Sequence, residues 1–173
     1  MELGPVTRIT ADAVGEPGMR AFYLQFEASG EVVTIAVEKQ QVQLLAASIL
    51  ELLADLELET GLGPDEDEMA LHDPVTPRWR AGKLSLGYDQ DRELFQLEVE
   101  ESQPEIDEDD PASLLVGEPE SITLLATREQ MLALSRHGAA VSERGRPICQ
   151  YCGNPMDPEG HACPAMNGHS SRD

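Results

Sequence analysis

Phe22-Tyr23-Leu24-Gln25-Phe26-Glu27 and Phe95-Gln96-Leu97-Glu98-Val99-Glu100 carry the same alternation, with Phe22, Leu24 and Phe26 answered by Phe95, Leu97 and Val99. Alternate apolar residues fall on one side of an extended chain, so each stretch reads as a strand. The likeness continues outward, because Gln41-Val42-x-x-Leu45 recurs as Gln130-Met131-x-x-Leu134. Between the two matches the offset grows from 73 to 89 residues, and the 16 extra residues fall in the acidic loop 102–119, where an insertion between strands does least harm.

The flanks of each strand complete two units of one design. Val14 to Gly18 carries turn chemistry, which pairs Phe22–Phe26 with an earlier strand from about Val6 to Ala13. Val32-Val33-Thr34-Ile35-Ala36-Val37 is β-branched and uncharged, as suits a covered strand. From Gln40 the period changes, and Val42, Leu45, Ile49, Leu52, Leu53 and Leu56 recur at helical steps up to a stop near Gly61. In the second half, strands are expected at Trp79–Tyr88, Leu94–Glu100 and Ser121–Ala126. A helix follows, opened by the capping-box residues Thr127 and Gln130 and running to about Gly138.

The expected fold is therefore α+β: duplicated β-β-β-α units forming a six-stranded, mainly antiparallel sheet or a partly closed barrel, covered by two main helices. The expected organisation is a body over 1–140, with pseudo-repeats at about 5–62 and 78–138, an acidic linker 63–77 and the acidic loop 102–119. A small zinc-ribbon-like tail at 145–168 and a disordered end at 169–173 follow. The linker, with two prolines and no apolar period, reads as an exposed, mobile connection.

Composition narrows the function. Against 12 Lys plus Arg stand 33 Asp plus Glu, a formal charge of -21 over 173 residues, which repels phosphate backbones and argues against nucleic acid as partner. No apolar run is long enough to span a bilayer, and Met1-Glu2-Leu3-Gly4-Pro5 lacks a signal-like flank, so a cytoplasmic protein with no membrane association is expected.

Chemistry concentrates at the C-terminal end. All three cysteines lie in Cys149-Gln150-Tyr151-Cys152-Gly153 and Gly160-His161-Ala162-Cys163-Pro164. An odd number of clustered thiols beside histidine is not a disulfide framework; two thiolates two residues apart, with glycine relieving the bend, suit a tetrahedral structural zinc. The expected ligands are Cys149, Cys152, His161 and Cys163, with His169 as an alternative fourth ligand. Four protein ligands close a Zn2+ site to substrate; only a three-ligand site with bound water would leave hydrolysis open, with Asp157 or Glu159 as base. Residues 131–173 balance Arg136, Arg144, Arg146 and Arg172 against Glu143, Asp157, Glu159 and Asp173, so the tail has no basic footprint.

Other motifs are weaker. Arg20, Lys39 and Gln40 suggest a polar ligand site at the first strand-to-helix junction, although Glu38-Lys39-Gln40-Gln41 also reads as ordinary capping of a helix. Gly15 to Arg20 lacks the Lys-Ser/Thr ending of a phosphate loop, and no Gly-x-Ser-x-Gly elbow occurs. His72 falls in the acidic linker and His137 at the expected end of the second helix. Eight carboxylates from Asp55 to Asp73 and ten from Glu98 to Glu120, with no Lys or Arg in either span, read as solvated loops or as a mimic of nucleic acid.

Glu16-Pro17-Gly18-x-Arg20-x-Phe22-Tyr23-Leu24-Gln25, Glu38-Lys39-Gln40-Gln41-Val42 and Gly145-Arg146-Pro147 to Gly168 together resemble an uncharacterised actinobacterial family, a domain of unknown function, over essentially the whole chain. The resemblance implies no activity and no catalytic residues. His169 departs from it, since similar proteins often carry Tyr after Asn-Gly, which favours His161 as ligand. The functional expectation is a non-catalytic protein-interaction adaptor with a structural zinc site and an unidentified protein partner. The alternatives are an enzyme or small-ligand-binding protein using Arg20, Lys39 and Gln40, or an acidic mimic occupying a DNA-binding protein.

Overall fold

The computed structural model describes residues 1–16, 18–103, 109–111 and 117–143. Seven strands and two helices follow in the order β1 (Glu2–Pro5), β2 (Arg8–Val14), β3 (Ala21–Ala28), β4 (Glu31–Val37), α1 (Lys39–Asp55), β5 (Ala81–Asp89), β6 (Leu94–Glu101), β7 (Ser121–Ala126) and α2 (Arg128–Glu143). One short 3-10 turn, Glu66–Met69, lies between α1 and β5. The α+β class and the two main helices stand as expected.

The single six-stranded sheet or barrel does not. The strands divide into a three-stranded sheet in the order β2-β3-β4 and a four-stranded one in the order β1-β7-β6-β5. The physical reason lies at two corners. Val6 N–H donates to Leu125 O at 2.8 Å, whereas the next residue, Thr7, donates to Glu27 O at 2.8 Å. The first strand therefore leaves one sheet for the other at this step, and its opening portion becomes the additional strand β1, parallel to β7. At the other corner Ala36 N–H donates to Trp79 O and Arg78 N–H to Thr34 O, a short parallel contact on β4 made just before the chain enters β5.

These corners correspond. The segment entering each β-β-β-α succession runs parallel to the last strand of the other, and the matching glutamines tie the same places. Gln41 closes the N-terminus of α1 by accepting from Glu38 N–H at 2.7 Å, while its Nε2 donates to Ala81 O at 3.2 Å. Gln130 accepts from Thr127 N–H at 2.9 Å while its Nε2 donates to Val6 O at 3.1 Å. The expected capping box at Thr127 is completed by Gln130 N–H on Thr127 Oγ1 at 3.0 Å.

Packing follows the alternation. Leu24, Phe26 and Ile35 from one sheet and Phe95, Leu97, Val99, Ile122 and Leu124 from the other are buried in a common core with Ile49 of α1 and Met131 and Leu134 of α2. The helices lie antiparallel: Ser135 Oγ donates to Ala46 O at 2.7 Å, and a Cβ on Gly138 would stand 3.1 Å from Val42 Cγ1. Gly138 is thus a packing glycine inside α2 and not its stop, which is why the helix continues to Glu143. α1 ends earlier than the stop expected at Gly61. Glu57 takes a left-handed conformation, φ 51°, so that Leu58 N–H reaches Leu53 O and Glu57 N–H reaches Ala54 O, a Schellman ending without glycine.

The linker is exposed at most of its positions, as expected, but it is tied to the body at several points. Gly61 N–H donates to Glu129 Oε1 at 3.2 Å, Met69 is fully buried, and Arg8, Thr10 and Gln25 hold the backbone of residues 68–72. Its acidity hid one apolar anchor and a line of backbone carbonyls that a polar sheet face was shaped to receive.

Candidate functional site

A polar row crosses the outer face of the three-stranded sheet. Thr10, Gln25 and Thr34 stand side by side in the register of β2, β3 and β4, on the face opposite the apolar row Ala11, Leu24 and Ile35. All three are buried because the strap formed by residues 61–78 passes over them. Gln25, 0% exposed, is the hub. Its Oε1 accepts from Arg8 Nη1 at 2.9 Å and from His72 N–H at 2.8 Å; its Nε2 donates to Thr34 Oγ1 and to His72 O, each at 3.0 Å. Both donor and both acceptor capacities of the amide are used, the condition under which a buried polar group stabilises. Thr10 Oγ1 donates to Met69 O at 2.6 Å, and Arg8 donates through Nε to Glu68 O at 3.2 Å and through Nη2 to Ala70 O.

His137, at 5% exposure, fixes the near edge of the same strap. Nδ1 lies 2.5 Å from Glu66 Oε1, and Nε2 lies 3.4 Å from Asp12 Oδ1 as a charge contact without hydrogen-bond geometry. Asp12 raises the imidazole above its ordinary value against the opposing effect of burial, and Glu66 adds to the rise. Burial opposes ionisation of Asp12, yet His137, the Ala13 N–H and the field of Arg20 together hold its carboxyl below the ordinary range. Two carboxylates around one imidazole favour the doubly protonated ring, with a proton on each nitrogen; this is a clasp, and His137 lies within α2, which runs on to Glu143, not at the helix end expected for it.

Among the described residues, the four-stranded sheet repeats the row without a strap. Ser85, Glu98 and Thr123 stand in register across β5, β6 and β7, at the positions matching Thr10, Gln25 and Thr34. Ser85 is exposed, and Glu98 and Thr123 are half-buried. Between α1 and β5 lies an open groove of about 490 Å³ lined by Gln41, Leu44, Ser48, Lys83 and Leu84 among others. Beside the strap, the corresponding cleft of about 410 Å³ is lined by Gln130, Arg8 and Ile9, with Met69 and Asp67 supplied by the strap itself. Gln41 answers Gln130, Lys83 answers Arg8, and Leu84 answers Ile9. Leu44 is left 68% exposed on α1.

Arg20, Lys39 and Gln40 line neither groove. Arg20 Nη1 donates to Val141 O at 3.1 Å, where a cation complements the C-terminal carbonyls of α2. Lys39 and Gln40 form the first turn of α1, and Gln41 makes the contacts to β5. The sequence reading missed Gln25 as an organising residue, for which a glutamine among the apolar residues of β3 was the available signal, whereas the capping it read in Glu38-Lys39-Gln40-Gln41 is made by Gln41. Among the described residues, no group of three or more His, Cys, Asp or Glu is arranged to hold a metal. Cys149, Cys152, His161, Cys163 and His169, with the tail from 145 onward, lie outside the described residues. No described helix is long and apolar enough to cross a membrane.

No curated protein and no solved structure matches the chain. A family model covers both β-β-β-α successions and continues through Cys163, so the chain belongs to the family described as protein of unknown function (DUF3090), matched over residues 1–163.

Proposed function

We propose that the protein is a non-catalytic protein-interaction adaptor whose α+β body carries a C-terminal zinc ribbon, with Cys149, Cys152, His161 and Cys163 holding one structural Zn2+ in a reducing, cytoplasmic setting. The observation that carries this reading is the spacing Cys149-x-x-Cys152-Gly153 followed by His161-x-Cys163-Pro164. Soft thiolates with one imidazole are the donor set that tetrahedral zinc prefers. The geometry of the body adds support, since three of its buried polar side chains, with half-buried Arg8, are engaged in holding the strap: Gln25, Thr10 and Arg8 each bind strap backbone, and His137 binds Glu66. The acidic run Asp65–Glu68 also takes part in the fold, with Asp65 N–H on Glu68 Oε2 at 3.0 Å, which favours an adaptor over a mimic whose carboxylates face a DNA-binding protein.

Metal analysis of full-length protein purified without chelator tests the site, with about one zinc per chain expected. Cys149→Ala and Cys152→Ala are expected to lose it. Retention of zinc by His161→Ala and loss by His169→Ala moves the fourth ligand to His169. Absence of zinc from the unmodified chain overturns the metal site. Affinity capture with the full chain and with a Cys149→Ser, Cys152→Ser variant tests the adaptor role, and an unchanged set of partners removes the ribbon from recognition.

A further inference from the structure

We infer that two copies of the chain join along β5, antiparallel and with Leu86 of one opposite Leu86 of the other, so that their four-stranded sheets continue as one.

The sheet edges differ in how they are closed. β4 carries the backbone of Arg78 and Trp79, and β2 lies beside the strap and α2, with Thr10 on Met69 O and Asp12 beside His137. β1 is short and ends in proline. Short strands, proline and covering segments are the usual devices against edge pairing. β5 has none of them beyond its start, where Gln41 holds Ala81 O and Gly82 O. From Lys83 onward the only strand paired with it among the described residues is β6. Its one guard is the exposed Lys83, and a cation keeps an edge single only while no carboxylate faces it.

Self-pairing supplies that carboxylate in a single register. Residues opposite one another share a face of the sheet, so an antiparallel twofold pairing centres on a residue and not between two. Centred on Leu86, it sets Lys83 against Asp89 of the second copy and Leu84 against Tyr88, each twice, with Ser85 against Gly87. Of the pairings that keep Lys83 opposite a residue of β5, only this one gives it an acid, because Asp89 is the one carboxylate of the strand. Asp89 Oδ1 accepts from the N–H groups of Asp91 and Arg92, while Oδ2 lies 3.7 Å from Arg92 Nε. A Cβ on Gly87 would meet nothing within 4 Å, which leaves room for the facing serine.

The apolar side agrees. Leu84, Leu86 and Tyr88 are half-buried against the core, beside the open groove of about 490 Å³ where Leu44 of α1 is 68% exposed. A second β5 along the edge brings the same three side chains into that groove and covers Leu44 with apolar surface. One charge of each sign on the strand suits a second copy, whereas Lys83 would repel a cationic segment. Glu51 and Asp55 on the α1 wall are exposed, and at physiological salt charges more than about 8 Å apart are largely screened, so contacts at the edge itself decide the pairing.

Sedimentation velocity of the full-length chain, from about 1 to about 100 µM in about 0.15 M NaCl, tests the joint. Monomer is expected to pass to dimer within this range, since one pair of edge strands makes a small interface. Lys83→Asp and Asp89→Lys each oppose like charges twice and are expected to weaken dimerisation about tenfold; combined, they are expected to restore it to within about threefold. Under mild oxidation Leu86→Cys is expected to give a disulfide between copies, located by peptide mass spectrometry, in about fivefold higher yield than Ser85→Cys, because only directly opposed residues lie within disulfide reach. The cysteine pair decides alone if Asp89→Lys, which loses the turn contacts, does not fold. Monomer throughout the range overturns the inference, as do a dimer indifferent to charge reversal, a folded double variant that stays weakened, or equal disulfide yields. Zinc content of the same samples judges the metal site separately. A zinc-free Cys149→Ser, Cys152→Ser chain that still dimerises upholds the joint on β5, and loss of the dimer in that variant overturns it by moving the contact to the tail.

Discussion

The two sheets were built from matching strands, yet one carries its polar row buried and the other carries it open. Thr10-Gln25-Thr34 and Ser85-Glu98-Thr123 occupy corresponding positions, and the neighbouring apolar rows feed one core. What separates them is the occupant of the outer face. Where the strap passes, an amide is required at the centre, because a carboxylate there could accept from Arg8 and His72 N–H but could not donate to Thr34 and His72 O as Gln25 Nε2 does. Where the described residues leave the face open, Glu98 is half-buried and its side chain reaches solvent. The difference shows that residue identity in a sheet follows what covers it, even where strand pairing is conserved by symmetry.

Several substitutions break or sharpen this contrast. The largest effect is expected at the strap's anchor: Met69→Ala removes a fully buried side chain that no position of the second half reproduces within the described residues, and should lower unfolding free energy in urea by about 3 kcal/mol. Next, Gln25→Ala strands Arg8, Thr34 and the His72 backbone, at a cost of about 2 kcal/mol, whereas Glu98→Ala at the matching site should stay within about 0.5 kcal/mol. Equal costs at the two positions would show that coverage does not set their roles.

Gln41→Ala and Gln130→Ala sharpen the comparison in the other direction, since each removes a capping contact and a tie across to the other half. Each should cost about 1 kcal/mol, and a large inequality would deny the correspondence of the two corners.

The smallest expected effect is a slope with pH. The His137 clasp is fully present below the imidazole's ordinary value of 6.5 and is lost as pH rises through its raised folded value. The share due to Asp12 is present above its ordinary value of 3.8 and is lost as pH falls through its lowered folded value. Melting temperature should therefore decline by a few degrees on the alkaline side, and His137→Gln should remove that decline. A variant with an unchanged slope assigns the pH dependence elsewhere.

Much of the fold was legible because alternation and helical period are local properties. Leu94–Glu101 and Ser121–Ala126 fall where the sequence places strands, and the Thr127–Gln130 capping box is in place. The ends of helices were less legible. Gly61 and Gly138 looked like stops, but Glu57 adopts the left-handed ending and Gly138 serves the approach of α2 to Val42. A glycine reports conformational freedom, and only the neighbouring helix reveals whether that freedom or the missing side chain was needed.

From its order of residues alone, this chain fixed its class, its two β-β-β-α successions and a cysteine-histidine spacing at the C-terminal end suited to zinc. Tertiary structure alone decided that the strands divide into two sheets, that an acidic linker lies down as a strap, and that His137 closes on Asp12 and Glu66. Those outcomes depend on contacts between residues dozens of positions apart, where the gain comes from burying matched polar groups together, and such pairing leaves no periodic trace in the sequence.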